Sequence, residues 1–424
     1  MTRRITLIGH ASLAWALFLG FAPRLLAEGP FAIKDGDRIV FYGDSITDQR
    51  LYTTFVETYI VTRFPAMNVS FVHSGWGGDR VTGGGGGRID HRLERDVFPY
   101  KPSVVTVMLG MNDASYRPFD QKIFDVYAKG YEHLVESLKS NVPGVRITLI
   151  QPSPFDDVTR KPNFEGGYNQ VLNRYGEFVK RLAEKEGAGV ADLNTSVVAA
   201  LKKAVEIDST RAQDLIKDRV HPGPAGQLLM AEALLKAWNA PAVVSVVELD
   251  AASAKVIKDE NTKVDDLKVN GAISWTQHDQ ALPMPIDKKN ATVALAVKAS
   301  DVEPALNQEV LKVSGAGSPG YSLKIDGEKV AGLTRDQLAA GVNLAELDTP
   351  MFRQAKAVHD LTLRHNDLHF LRWRTVQVPN ERRGYPGLAK AIEGLDALEA
   401  DEVAEQRKKA MPIPHRFELV PHQQ

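Results

Sequence analysis

The sequence predicts an α/β protein: a parallel sheet covered by helices on both faces, then a smaller β-rich unit and a helical C-terminal region. Three observations carry this expectation. Between Asp37 and Asn239 short apolar runs alternate with longer stretches of helical periodicity, the signature of successive strand–helix units. The runs "VVTVML" and "ITLI" are apolar at both parities, as a strand covered on two faces requires. From about Pro241 onward, short β-rich segments follow one another with no long helix between them.

In chain order, the strand candidates of the first unit are "RIVFYG", "NVSFVHS", "SVVTVMLG", "VRITLIQP" and "GVADL". Helices are expected around residues 51–63, 89–97, 120–140, 168–186 and 224–238. In the second unit "AVVSVVEL", "LKVNGAISWT", "ATVALAVKA", "EVLKVSG" and "YSLKIDGEKVAGL" read as strands of a small antiparallel sandwich, and the Asp-Gly of "IDGEKV" marks a hairpin turn. Beyond residue 348, Met351, Ala355, Val358, Leu361, Leu368, Leu371 and Val376 fall near helical spacing on one face. A charged helix over residues 388–409 runs up to "MPIP", where proline stops it. The expected division is therefore 31–240, 241–347 and 348–424.

A chain of 424 residues favours more than one such unit. Hydrophobic residues at 43% and charged residues at 25% describe a globular protein rather than a disordered one. Lysine and arginine (52) balance aspartate and glutamate (53), so no polyanion-binding surface is indicated and nucleic acid is not an expected partner. The absence of cysteine excludes disulfides, thiolate nucleophiles and thiolate-bound zinc. At the N-terminus Arg3 and Arg4 precede an apolar stretch that ends at Ala27, a pattern expected of a signal peptide over residues 1–27. His10 and the small residues argue against a membrane anchor. The mature protein is expected to be periplasmic or secreted, with no membrane span after cleavage.

Four short blocks of the first unit carry groups capable of chemistry, at strand ends or before the last helix: "GDSIT", "GWGGD", "LGMND" and "DRVHPG". Each has a plain structural explanation. Ser45 begins S-x-x-D, a capping-box pattern. Gly75, Gly77 and Gly78 suit a turn, and the Asn112–Asp113 and Asp218–His221 segments suit helix or turn starts. Together, however, they supply what attack on an ester needs: a hydroxyl (Ser45), a base (His221), a carboxylate to orient that base (Asp218), and donors for an oxyanion. Those donors are the N–H groups of Ser45 and Gly78 and the side-chain amide of Asn112.

In order, spacing and strand context these blocks resemble those of the SGNH hydrolases, the GDSL family of esterases and lipases. The resemblance covers about residues 37–238, and "GDSIT", "GMND" and "DRVH" are its most specific parts. It implies a flavodoxin-like three-layer α/β/α sandwich and metal-free ester hydrolysis through an acyl-enzyme, with no cofactor. The family roles fall on Ser45, Gly78, Asn112 and His221, with Asp218 completing a triad. Trp76, Asp44 and Arg80, which flank these positions, are candidates for substrate contact. One departure is His73, where the family has asparagine ahead of the second block. An altered hydrogen-bond network is expected there rather than lost activity.

Other signals are set aside. His365 and His369 in "HNDLH" have the helical spacing of a zinc pair, but Asn366 stands where a zinc peptidase needs glutamate. The glycine run 83–87 lacks the Lys-Ser/Thr of a phosphate loop and reads as a mobile loop beside Gly78. Trp275 and His278 are possible overhangs of the cleft from the β-rich unit. The function expected is an exported serine esterase acting on small acyl esters, acetyl foremost, of an oligosaccharide or polysaccharide. A lipase or lysophospholipase for longer acyl chains, and a non-catalytic glycan-binding protein with a relic site, are the alternatives.

Overall fold

A computed structural model describes residues 29–422. The segment read as a signal peptide lies outside the described residues.

The first unit builds a five-stranded sheet. Its strands are β1 (Arg38–Gly43), β2 (Ser70–Gly75), β3 (Val104–Met108), β4 (Arg146–Ile150) and β5 (Gly189–Ala191). All neighbours are parallel and the order is β2-β1-β3-β4-β5, the flavodoxin-like order. β3 is buried at every position, which is why its sequence shows no alternation. Six helices of the first unit matter below. They are α1 (Ser45–Asp48), α2 (Leu51–Arg63), α3 (Ile89–Asp96), α4 (Gln121–Asn141), α5 (Gly167–Glu186) and α6 (Leu193–Ile207). α7 (Pro224–Ala237) then ends the unit. The sequence reading omits α6, which Asp192 starts by accepting from Thr195 N at 2.8 Å.

The second unit departs from the expectation in two ways. "ATVALAVKA" is a helix, α8 (Ala291–Ala299), not a strand. Asn290 caps it through Thr292 N (3.0 Å) and Val293 N (3.2 Å). Its buried residues Val293, Leu295, Ala296 and Ala299 join the core of the first unit. A short apolar run covered on several sides has no period that tells a strand from a helix.

The second departure concerns the chain end. Strands β6 (Val243–Asp250), β7 (Lys255–Glu260), β8 (Thr262–Asn270), β9 (Ala272–Asp279), β10 (Gln308–Ser314), β11 (Gly320–Ile325), β12 (Glu328–Thr334) and β13 (Val342–Asn343) form two sheets. The order in one is β8-β9-β14-β11-β12, where β14 is His415–Pro421 from beyond the helical region. The other, β13-β10-β6-β7, is mixed, because β10 runs parallel to β6. Asp326 (φ 52°) and Gly327 (φ 82°) turn the β11–β12 hairpin with two left-handed residues, as such two-residue turns require.

The C-terminal helices are α9 (Pro350–Phe370), a π-helical continuation (Leu371–Gln377) and α10 (Leu388–Ala410). The face of α9 that packs inward carries Met351, Ala355, Val358 and Leu361. It then turns polar with His365, Asn366 and His369, while the expected Leu371 is exposed. No helix among the described residues is long and apolar enough to cross a membrane. From Phe31 onward the chain clusters as one compact unit.

Candidate active site

The chain leaves β1 at Gly43 and enters α1 at once. Asp44 caps that helix, its carboxylate accepting from Ile46 N at 3.0 Å. Ser45, expected from S-x-x-D to be the cap, is the first helical residue instead, and Asp48 accepts from Gly77 N (3.2 Å) rather than closing a capping box. The Ser45 hydroxyl is thereby free of the helix start, and it lies 2.8 Å from His221 Nε2. His221 Nδ1 lies 2.6 Å from Asp218 Oδ2. Asp218 Oδ1 accepts from the N–H groups of Val220 (2.9 Å) and His221 (2.7 Å). Partial burial works to raise the Asp218 carboxyl, but these N–H donors and the His221 ring outweigh it and hold the group below its ordinary value.

The loop bearing Asp218 and His221 is shaped by Arg219, which sits at φ 74° in the left-handed region. Its guanidinium donates to Asp156 O (2.9 Å) and Asn163 Oδ1 (2.7 Å) and lies over the Phe155 ring. A non-glycine residue holds that conformation only where its surroundings enforce it. Here the segment after β4 does so.

The loop after β2 passes close to α1. A Cβ on Gly75 would fall against the backbone of Thr47 and Asp48, so only glycine permits the approach. Gly78 needs its lack of side chain for a different reason, its φ of +79°. Trp76 N donates to Gly43 O (2.9 Å), Gly77 N to Asp48, and Asp79 N to Trp76 O (3.1 Å). The N–H of Gly78 donates to no described residue, and neither does that of Ser45. Asn112 Nδ2 donates to Asp79 O at 3.0 Å, which ties the third block to the second.

Tyr116 was not singled out in the sequence, and the structure brings it to the site. It holds φ 53°, is 45% exposed, and donates from its hydroxyl to Asn112 Oδ1 at 3.1 Å. Its ring stacks on Tyr168 with centroids 4.9 Å apart. Burial first, then the charges of Asp44 and Asp218, push its phenol up to about 12, so it remains a donor at neutral pH. Its spacing of four from Asn112 was the one available signal.

The expected substrate contacts fare differently. Asp44 is buried at the head of α1, and burial pushes its carboxyl up to about 7. Trp76 has Arg374 of the π-helical segment over its ring, 3.1 Å from the centroid, so a sugar could stack there only by displacing the guanidinium. Arg80 is exposed, with no ion-pair partner among the described residues. Asp113 accepts from Val81 N at 3.0 Å, and burial raises its carboxyl to about 7.

His73 is buried between β2 and α2, its Nδ1 2.7 Å from Thr53 Oγ1 and its Nε2 3.3 Å from Glu57 Oε2. Burial lowers it to about 4, so it is neutral at pH 7 with Nε2–H donating to the carboxylate. His365 and His369 also meet carboxylates, Glu57 at 2.5 Å and Glu399 at 3.5 Å respectively. The glycine run forms a small two-stranded ribbon, Gly83–Gly84 against Gly87–Arg88, with Gly86 against the Trp76 ring. Trp275 lies in the sandwich core, stacked on Phe417, rather than over the cleft. His278 pairs with Asp265 at 3.3 Å on the neighbouring strand. A cavity of about 580 Å3 is walled by Phe55, Leu228, Ile286, Phe352 and His359 and includes none of the residues at Ser45.

A hydroxyl, an imidazole and a carboxylate hydrogen-bonded in line at the carboxyl end of a parallel sheet define a serine-hydrolase class of site. Residues 41–229 match the GDSL-like Lipase/Acylhydrolase family. That segment is a domain of SGNH-hydrolase type, and the protein is a carboxylic ester hydrolase, a serine esterase of SGNH type. It is 27% identical over 222 residues to an acetylxylan esterase of Geobacillus stearothermophilus, a span of 48% of this chain and 94% of that protein. A solved gut microbial diltiazem-metabolizing enzyme is 25% identical with a TM-score of 0.76, covering 92% of this chain and 98% of that one. The second likeness extends over the β-rich and helical regions.

Proposed function

We propose that this protein is an exported esterase that removes small acyl groups, acetyl foremost, from carbohydrate through a Ser45–His221–Asp218 acyl-enzyme mechanism. The observation that carries the mechanism is the line of two hydrogen bonds, Ser45 Oγ to His221 Nε2 at 2.8 Å and His221 Nδ1 to Asp218 at 2.6 Å. His221 takes the Ser45 proton as the hydroxyl attacks the ester carbonyl. The N–H groups of Ser45 and Gly78 and the Asn112 amide receive the negative charge on the carbonyl oxygen. Collapse expels the alcohol, protonated by His221, and water attacks the acyl-enzyme with the same base.

Support for the substrate comes from the likeness to an acetylxylan esterase and from an open, polar site. The side chains of His221 and Asp218 are 37% and 56% exposed, and the large apolar cavity lies elsewhere. That speaks against a lipase, which needs an apolar mouth for a long acyl chain. Export rests on the N-terminal pattern alone. A second reading, a small-molecule ester as substrate, is favoured by the likeness over 92% of the chain to an enzyme that metabolizes diltiazem.

The test is a panel of p-nitrophenyl esters from acetyl to long-chain, with acetylated xylo-oligosaccharides and diltiazem, run on the wild type and Ser45→Ala. Rapid deacetylation that disappears in Ser45→Ala is expected. Equal rates in both proteins would refute the nucleophile, and a preference for long chains would refute the acetyl reading.

A further inference from the structure

Among the described residues, every backbone donor of the Trp76–Asp79 turn has a partner except that of Gly78. What keeps the neighbouring Gly77 N–H occupied is the Asp48 carboxylate, at 3.2 Å. Asp48 is itself poorly provided for. Its Oδ1 is buried with no hydrogen-bond partner among the described residues, and burial raises its carboxyl, opposed chiefly by the charge of Arg374.

Arg374 lies outside residues 41–229, in the π-helical segment some three hundred residues further along the chain. Its Nη2 is 3.7 Å from Asp48 Oδ2, and its guanidinium covers Trp76 at 3.1 Å from the ring centroid. One side chain thus grips both the turn's single large side chain and the carboxylate that holds the turn's backbone. The preceding residue strengthens the grip. Trp373 Nε1 donates to Asp96 Oδ1 at 2.6 Å, and its ring meets Trp76 edge-on at 5.7 Å. Asp96 also takes Arg92, which donates to Ser74 O (2.8 Å) in the strand leading into the turn and to Asp79 (2.8 Å) at its end. A π-helical turn displaces successive side chains from ordinary helical positions, and such turns concentrate at functional sites. Here it aims Trp373 and Arg374 at one loop.

We infer that Arg374 is a positioning residue for the oxyanion turn: through Asp48 and Trp76 it fixes the Gly77–Gly78 peptide so that the Gly78 N–H points at the reacting carbonyl. The inference rests on the proposed role of Gly78, and it makes the C-terminal region part of the active site rather than an appendage. In this role Arg374 acts through Asp48 and Trp76 rather than through a contact with substrate. Without the guanidinium, Asp48 is a buried carboxylate with a weaker counter-charge, Trp76 loses its cover, and Gly77 N–H is released.

The test compares wild type, Arg374→Ala, Arg374→Lys, Asp48→Asn and the Arg374→Ala/Asp48→Asn double variant. Two measurements are made: p-nitrophenyl acetate kinetics, and amide hydrogen exchange of the 75–79 segment. Expected for Arg374→Ala is a kcat lower by about tenfold or more with KM changed by less than about twofold, since loss of one oxyanion donor costs on the order of 10²–10³. Added guanidinium restores part of that kcat, Arg374→Lys retains only part, and exchange at 75–79 quickens. The double variant loses no more than the worse single one, because both act through one contact. Unchanged exchange at 75–79, or losses that multiply in the double variant, would overturn the inference. The exchange measurement does not depend on activity. If wild-type hydrolysis proves independent of Ser45, the mechanism falls while exchange still decides whether Arg374 holds the turn. Arg374→Lys keeps the charge and the stem, and so answers if Arg374→Ala fails to fold.

Discussion

Asp44, not Ser45, closes the first turn of α1. That single displacement settles which residue caps the helix, a point the local motif left open because S-x-x-D and a strand-end hydroxyl can share the same residues. The cap is supplied one residue earlier, so the Ser45 hydroxyl can face His221 while its N–H stays unengaged. Asn112 is held from both ends of its amide, Nδ2 by Asp79 O and Oδ1 by the Tyr116 hydroxyl. Asn112→Ala is expected to lower kcat on the order of 10²–10³ if the amide serves the oxyanion. Tyr116→Phe removes one neutral hydrogen bond, about 0.5–1.5 kcal/mol, and should cost roughly two- to tenfold in kcat with KM little changed. Steady-state kinetics on p-nitrophenyl acetate separates the two, and a Tyr116→Phe enzyme with wild-type kcat would remove Tyr116 from the positioning of Asn112. The blocks around Ser45, Gly78, Asn112 and His221 were legible because each is a contiguous stretch at a strand end. Tyr116 and Arg219 were not, since what marks them is a left-handed backbone that composition does not reveal.

Among the elements, α2 has the most demanding surroundings. It is buried over most of its length, and Glu57 at its middle is 1% exposed. That carboxylate meets His365 at 2.5 Å, His73 at 3.3 Å and Gln406 at 2.9 Å, so α9 and α10 are locked to the first unit through one charged centre. Burial works against the charge on His365, but Glu57 and Glu399 outweigh it and raise the imidazole to about 10, while Glu57 is held well below its ordinary value. The signs follow from linkage. The His365 contribution is complete below about pH 6.5 and fades as pH rises through about 10. The Glu57 contribution is complete above about pH 4.5 and fades only in strong acid. Breaking a buried pair by removing one partner costs about 3–5 kcal/mol. Glu57→Gln is therefore expected to lose about that much stability in urea unfolding at pH 7. The gap to wild type should narrow above pH 10, and a gap independent of pH would refute the charged pair. None of this polar face was visible in the apolar spacing, because Leu368 and Leu371 extended the helical pattern while His365, Asn366 and His369 do the inward packing.

At the scale of the whole molecule the chain end returns to the middle of a sheet. β14 pairs with β9 on one side and β11 on the other, placing Phe417 and Leu419 in the sandwich core with Trp275. Phe417→Ala should destabilise the protein by about 3–5 kcal/mol, read by thermal or urea unfolding. Hydrolysis by the folded protein should be unaffected, since Phe417 lies in the second core; a kcat loss at full folding would show that the sandwich acts on the site. By itself the sequence determined the parallel sheet, the succession of its five strands along the chain, and the blocks that mark an SGNH esterase, because these depend on local periodicity and on residues adjacent in the chain. Tertiary structure alone decided that α8 is a helix, that β14 closes the sandwich, and that Arg374 and Glu57 bind the C-terminal helices to the catalytic unit. Those outcomes depend on which distant surface covers a segment, and a buried segment or a charged pair takes its meaning from partners hundreds of residues away.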